Sequence, residues 1–309
     1  MNPSNIIALL LSHEPLVVIG GIKYIRNLVQ QTHLKRWKDG AFEERRFQTF
    51  SGPDVSIYSL CCDEYNVVAG LNNGLAKVFD INTCIFKFLL NCRKGFDISE
   101  DCNYGVRTAI GDDVIVCGSL DGGLGVWDKR SYAQLYKESE ERISSVKIAK
   151  SVILVVCNDK LNVMKLDTTG NKVEIVATLR DFGSGAMNKV DSDGEWVVVG
   201  TSRKILLFSL ETCECEVAIP TGHINSVRLH YPFCMAVGTS CGGGVWDLST
   251  GLLIKTFGDK KYWDLHSNGR FLVASEMNYK LRKYKKVEGD FPPLNITMFD
   301  LKGSIIIFN

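Results

Sequence analysis

The sequence predicts an all-β protein, and three observations carry that prediction. Short runs of Val, Ile and other apolar residues recur from residue 55 onward, each bounded by Gly, Asn or Asp turns. The runs group into one unit that returns about every 40 residues. No stretch of about 12 residues inside the repeats carries a helical period with caps.

The unit reads as apolar alternation, a charged or Gly turn, a Val/Ile-rich run ending in Gly or Ser, a second turn, and an aromatic or apolar residue followed by Asp. Unit one holds Ile57–Leu60, Val67–Gly70 and Lys77–Asp80, and unit two holds Val106–Ala109, Val114–Gly118 and Gly125–Asp128. Unit three holds Val146–Ala149, Ile153–Cys157 and Val163–Asp167, and unit four Asn188–Val190, Trp196–Gly200 and Leu206–Leu210. Unit five holds Val227–Leu229, Met235–Gly238 and Gly244–Leu248, and unit six runs from Trp263 to Leu301 around a basic insertion. The terminal positions Asp80, Asp128, Asp167, Leu210, Asp247 and Asp300 are separated by 48, 39, 43, 37 and 53 residues. A four-stranded unit of this length is the blade of a β-propeller. Six repeats are legible, so the ring is expected to have six or seven blades, with Arg46–Phe50 as the outer strand that seals the last one.

Trp127-Asp128 and Trp246-Asp247 are the dipeptides by which this stretch, about residues 45–309, resembles the WD-repeat family. Gly222-His223 is the one Gly-His pair of the family's pattern. Residues 1–40 differ in texture: Ile6–Ser12, Leu16–Ile22 and Ile25–Lys35 read as short apolar helices. With Arg26-Asn27-Leu28, Leu34-Lys35 and Arg36-Trp37 followed by Gly40, the segment resembles a degenerate or truncated F-box. That layout is similar to the F-box/WD-repeat group. The resemblance implies an N-terminal segment docking a Skp-type adaptor and cullin through Leu9, Leu10, Leu16, Ile25 and Leu28. It also implies a propeller that captures a substrate for ubiquitin transfer.

Composition narrows the alternatives. The chain has 309 residues, 36 Lys+Arg against 35 Asp+Glu, 45% hydrophobic and 23% charged residues, so disorder, collagen and coiled coil are excluded. A formal net charge of +1 does not suit a protein that coats nucleic acid, though it permits a local basic patch. Eleven cysteines include no CxxC and sit largely among apolar residues, which suits a reducing compartment, cytoplasm or nucleus. The longest N-terminal apolar run, Ile6–Leu11, is far short of the roughly 20 residues of a membrane span.

Catalytic motifs do not emerge. Gly238-Thr239-Ser240-Cys241-Gly242 matches G-x-S-x-G, but that motif needs a strand–turn–helix context, and here it precedes the Trp246 strand. Five histidines show no ligand spacing, and no Gly-rich loop leads into Lys-Ser/Thr. No enzyme activity, metal or cofactor is expected. What stands out is the residue after the first apolar anchor of each repeat: Tyr58, Arg107, Lys147, Lys189, Arg228 and Trp263. Equivalent blade positions lie around one axis, so these side chains are expected to form a ring. Desolvating a base costs several kcal/mol, so converging bases imply carboxylate partners between blades or an anionic ligand. Arg and Lys recognise phosphate and carboxylate, and the same strand position reads degrons in the F-box/WD-repeat receptors. A second basic run, Lys280–Lys286, reads as a solvated loop or an RNA contact. The expected function is a non-catalytic substrate receptor binding an acidic or phosphorylated peptide. A WD-repeat scaffold outside ubiquitination and an RNA-binding propeller are the alternatives.

Overall fold

The computed structural model describes residues 57–93, 104–139, 141–158, 160–167, 172–180, 182, 187–238, 242–256 and 262–267, and the strand backbone at 5–10, 16–21, 32–38, 41–46, 271–276, 296–300 and 305–308. Among these residues, 28 strands form seven antiparallel four-stranded sheets, each made of four consecutive strands. Sheet 1 is β1 (Asn5–Leu10), β2 (Leu16–Gly21), β3 (Thr32–Lys38) and β4 (Ala41–Arg46). Sheet 2 is β5 (Ile57–Cys62), β6 (Asn66–Leu71), β7 (Leu75–Asp80) and β8 (Phe86–Asn91). Sheet 3 is β9 (Val106–Ile110), β10 (Val114–Ser119), β11 (Gly123–Asp128) and β12 (Gln134–Ser139). Sheet 4 is β13 (Ile143–Ala149), β14 (Val152–Cys157), β15 (Lys160–Asp167) and β16 (Lys172–Leu179). Sheet 5 is β17 (Met187–Ser192), β18 (Trp196–Thr201), β19 (Lys204–Ser209) and β20 (Cys215–Pro220). Sheet 6 is β21 (Ile224–His230), β22 (Phe233–Gly238), β23 (Gly243–Asp247) and β24 (Leu253–Thr256). Sheet 7 is β25 (Tyr262–Ser267), β26 (Phe271–Glu276), β27 (Ile296–Asp300) and β28 (Ile305–Phe308).

The first strands touch in cyclic order: β1 on β5, then β9, β13, β17, β21 and β25, which returns to β1. This arrangement is compatible with a β-propeller. Two expectations are corrected. The short helices foreseen at 6–12 and 16–22 are β1 and β2, paired from Asn5↔Gly21 to Leu10↔Leu16. Apolar runs such as Leu16-Val17-Val18-Ile19 are too short to show a helical period, and β-branched residues favour the pleat. Of the helix foreseen over 25–35, residues 32–35 belong to strand β3. The second correction concerns closure. Arg46 ends β4 inside sheet 1 and pairs with His33, so it does not extend the last sheet. Residues 47–50, Ile25, Leu28 and the Lys280–Lys286 run lie outside the described residues. Among the described residues no helix is long and apolar enough to cross a membrane.

Burial explains the composition of each strand. β6, β10 and β14 are buried along their whole length, because a second strand is covered by a neighbouring sheet on each face. They are accordingly near-continuous Val/Ile/Leu runs. One apolar cluster joins Val68 and Val78 of sheet 2 to Val106 and Ile115 of sheet 3, and others join sheets 3 to 4, 4 to 5, 5 to 6 and 6 to 7. The fourth strands β8 and β20 are mostly exposed, and β24 is exposed at every residue. In Gly125-Val126-Trp127 and Gly244-Val245-Trp246 the indole covers the glycine: a Cβ at Gly125 would stand 2.2 Å from Trp127 Cη2.

In units one, two and five the terminal Asp closes the outer hairpin. Asp80 Oδ1 accepts the Asn82 and Thr83 amides at 2.9 Å each. Asp128 Oδ1 accepts the Ser131 amide and hydroxyl, both at 2.6 Å, and Asp247 Oδ1 accepts the Ser249 amide and hydroxyl. The chain then passes through a left-handed residue, Cys84, Tyr132 or Gly251. Ser209 Oγ fills the same role for Glu211 and Thr212 in sheet 5. The Thr83 amide, with Lys87 at 2.9 Å, holds the Asp80 carboxyl at about 2, below its usual 3.8. These turns therefore contribute fully above the usual carboxylate range and fade as pH falls through it towards about 2. Asp128→Ala is expected to cost about 1 kcal/mol, as loss of a helix cap does. Denaturant titrations at neutral and acid pH check it, and the difference between variant and parent should shrink in acid.

Candidate functional site

The pairing registers show where the six singled-out residues lie. In β5, β13, β17, β21 and β25 a bulge follows the first paired residue; β9 has none. Beyond it, Ser59 stands opposite Gly70, Arg107 opposite Gly118 and Lys189 opposite Gly200. Ser145, Ser226 and Asp264 hold the corresponding position in the other three strands. Two residues further along come Cys61, Ala109, Lys147, Asp191, Arg228 and His266. The single register expected from the sequence is therefore two levels plus the bulge. Arg107 and Lys189 occupy the first level, Lys147 and Arg228 the second, and Tyr58 and Trp263 sit within bulges. The difference arises because the apolar anchor is the first strand residue for Tyr58, Arg107 and Trp263. For Lys147 and Arg228 it is the valine beyond the bulge. The Trp263 side chain lies outside the described residues.

Charged side chains from separate sheets meet at these levels. Lys147 Nζ lies 2.7 Å from Asp191 Oδ1, joining sheets 4 and 5, and Asp191 Oδ2 accepts the Leu229 amide of sheet 6 at 2.9 Å. Arg228 donates from Nη1 to the Val227 carbonyl at 2.8 Å, and its Nη2 lies 3.1 Å from His266 Nε2. His266 Nε2 stands 3.6 Å from Asp264 Oδ2. Arg107 donates from Nη1 to the Tyr58 carbonyl at 2.9 Å, with its guanidinium 5.2 Å from the Tyr58 ring centroid.

Each group's titration is shifted by burial and by charges from neighbouring sheets. Burial alone would raise the Asp264 carboxyl, but Lys189, His266 and Arg228 together hold it well below its usual value. Burial likewise works against Asp191, and Lys147, Arg228 and the Leu229 amide outweigh it, so it too is lowered. Asp264 draws Lys189 upward, yet burial and repulsion from Arg107 and Arg228 win, and the ammonium is lowered. Burial lowers Arg107 against the pull of Tyr58 and Asp264. Burial and Arg228 push His266 down to about 4, so it is a neutral ring at physiological pH.

The sequence reading found the bases and missed their acids and His266. Asp191 is two residues past Lys189, and Asp264 is next to Trp263, so a search of the same strands for acids would have found both. Across the seven first strands the sequence supplies four bases and two acids, a net charge of +2. Among the described residues neither Arg107 nor Arg228 has a carboxylate within ion-pair distance, and Arg107 Nε is buried without an acceptor. Such a centre can hold an anion by charge-assisted hydrogen bonds.

Other candidate features carry less chemistry. Burial pushes the Cys61 thiol up to about 12, and Cys62, Cys117 and Cys234 also stand above the usual thiol value, so none is an activated nucleophile. Among the described residues no cluster of His, Cys, Asp and Glu is placed to hold a metal ion. Gly238 ends β22 and donates its amide to the Gly242 carbonyl at 2.8 Å, just before the antiparallel strand β23; residues 239–241 of the G-x-S-x-G string lie outside the described residues. A groove of about 310 Å³ between Val217–Pro220 and Leu248–Gly251 is lined without a titratable side chain. Leu9 and Leu10 lie on β1 and Leu16 opens β2, facing Leu10 across that pair. No protein-family model and no curated protein matches this chain.

Proposed function

We propose that this chain is a non-catalytic interaction module, a β-propeller of the WD-repeat type, whose central charged levels bind an acidic or phosphorylated segment of a partner protein. The observation that carries this reading is the surplus of positive charge on the first strands, with two arginines that lack a carboxylate partner among the described residues. An unpaired, partly desolvated guanidinium is costly, and an incoming carboxylate or phosphate offsets that cost. The repeat period, the Trp-Asp dipeptides and the cyclic contact of the first strands support the propeller architecture. Asn5–Leu10, Leu16–Gly21, Thr32–Lys38 and Ala41–Arg46 are strands where adaptor docking calls for helices, so the reading stops at segment capture and does not extend to a ubiquitin-ligase receptor. The RNA-binding alternative rests on Lys280–Lys286, outside the described residues.

The test is fluorescence anisotropy of the full chain against synthetic acidic, phosphorylated and neutral peptides across a salt series. Anionic peptides should bind and neutral ones should not, with affinity falling as salt rises. Arg107→Gln and Arg228→Gln should each weaken binding about tenfold or more, the worth of one charge-assisted hydrogen bond or pair. Equal binding of neutral and anionic peptides would reject the proposal.

A further inference from the structure

We propose that His266 is a positioning residue of this centre whose proton decides whether Arg228 is held or free. The neutral ring ties down the guanidinium, the imidazolium releases it, and capture of an anionic segment therefore takes up a proton at His266. This inference rests on the segment-capture reading and assigns the regulation of that site.

Hydrogen-bond roles fix the resting state. A guanidinium has donors and no acceptor, so where Arg228 Nη2 lies 3.1 Å from His266 Nε2 the ring nitrogen accepts. Nε2 is then bare and the ring proton sits on Nδ1. The same Nε2 stands 3.6 Å from Asp264 Oδ2, longer than a formed hydrogen bond, and without a proton it has nothing to donate there. A proton on Nε2 reverses both contacts. The nitrogen becomes a donor, closes on Asp264 and repels Arg228. Arg228 Nη1 keeps the Val227 carbonyl at 2.8 Å, and Nη2 is left for an external carboxylate or phosphate.

The charges that face the ring set the sign of the coupling. Asp264 lies on the same strand, Arg228 and His230 come from β21, and Lys189 reaches the ring from β17. Strands β1 and β22 also pack on β25 and carry no charged residue. Glu276 of β26 pairs with Tyr262, at the opposite end of β25 from His266. Burial, Arg228 and Lys189 oppose a proton on the ring and Asp264 favours one, a balance that leaves His266 at about 4. An anion beside Arg228 cancels the largest repulsion and leaves Asp264, which moves the ring back towards its ordinary 6.5. Affinity should therefore be flat above that value and rise as pH falls from it towards about 4, by about tenfold between pH 7.5 and 5.5.

The experiment is titration calorimetry of the full-length chain from pH 5.5 to 7.5 in buffers of different ionisation enthalpy. The peptides carry glutamate or sulfotyrosine, which keep their charge over this range, or phosphoserine, whose own titration is subtracted by comparison with His266→Gln. Binding should tighten about tenfold on going from pH 7.5 to 5.5, with uptake of about one proton at pH 5.5 and little at 7.5. His266→Gln offers an amide oxygen to Arg228 but takes no proton. It should keep the affinity that the unaltered protein has at pH 7.5 and lose the pH dependence, whereas loss of a merely structural ring would leave the slope in place. The proton count on the unaltered protein stands whether or not the variant folds. Binding without proton uptake, or a slope that persists in His266→Gln, would overturn this inference and leave segment capture intact. No binding of any anionic peptide at low salt across the range would overturn both.

Discussion

Asp264→Asn is expected to remove about 3–5 kcal/mol of folding stability, the cost of leaving buried charge without its counter-charge. Asp264 is buried where Lys189, Arg228 and His266 from sheets 5, 6 and 7 act on one carboxylate. Asparagine keeps the shape and can still accept the Leu265 amide that Asp264 Oδ1 accepts at 2.9 Å. What it removes is the negative charge, so Lys189, Arg107 and Arg228 then face each other with only Asp191 to offset them. A denaturant titration reads the loss directly. Pairing the change with Lys189→Met should recover part of it, because the two substitutions remove opposite charges from one level; a double variant no better than Asp264→Asn alone would mean that Lys189 is not the partner that matters. The pH dependence has a defined sign. The native carboxyl titrates below its usual value, so its contribution is complete above the ordinary range near 3.8 and declines as pH falls through it. The variant should lack that part of the acid transition.

Gly70→Ala should be the most damaging single methyl in the ring. Its Cβ would stand 2.3 Å from the Val106 carbonyl oxygen and 2.6 Å from Ser59 Oγ. Gly70 is the last but one residue of β6, where the first strand of sheet 3 crosses against it, and the obstacle is backbone that cannot rotate away. Overpacking in a filled interior costs typically about 1–3 kcal/mol, and a backbone obstacle belongs at or above the upper end. Gly118 and Gly200 hold the same place in sheets 3 and 5, but there the new methyl meets Ile143 and Ile224 Cγ2 atoms at 2.5 Å. Those side chains can shift, so Gly118→Ala and Gly200→Ala should lose less. Thermal denaturation of the three variants orders them, and equal losses would mean that the sheets slide apart by the same amount at every seam.

The six central and C-terminal repeats were legible because their signals are local. A Val/Ile run covered on both faces, a Gly where the next sheet crosses and an Asp that caps the outer hairpin all sit within one chain segment. Sheet 1 was not legible for a corresponding reason. Asn5–Leu10 and Leu16–Gly21 are apolar runs of six residues without a Trp-Asp ending, and neither length nor alternation separates a short buried strand from a helical turn. The central charges were legible as residue types but not as positions. A bulge adds a residue to β5, β13, β17, β21 and β25 and leaves no mark in the sequence, so counting from an apolar anchor placed Arg107 and Arg228 together when pairing separates them. Asp191 and Asp264 escaped because the search followed one column, and each acid stands in a different strand from the base it balances.

The seam between sheets 7 and 1 has a consequence for how such a ring can change size. Every sheet is one uninterrupted segment, and no described strand is shared between two sheets, so the last sheet meets the first by face contact as all other neighbours do. Insertion or loss of a segment of about 40 residues would thus unpair no strand elsewhere. The number of sheets is then governed by the wedge angle at which neighbours pack, and duplication of a single segment is limited only by how far that angle can relax.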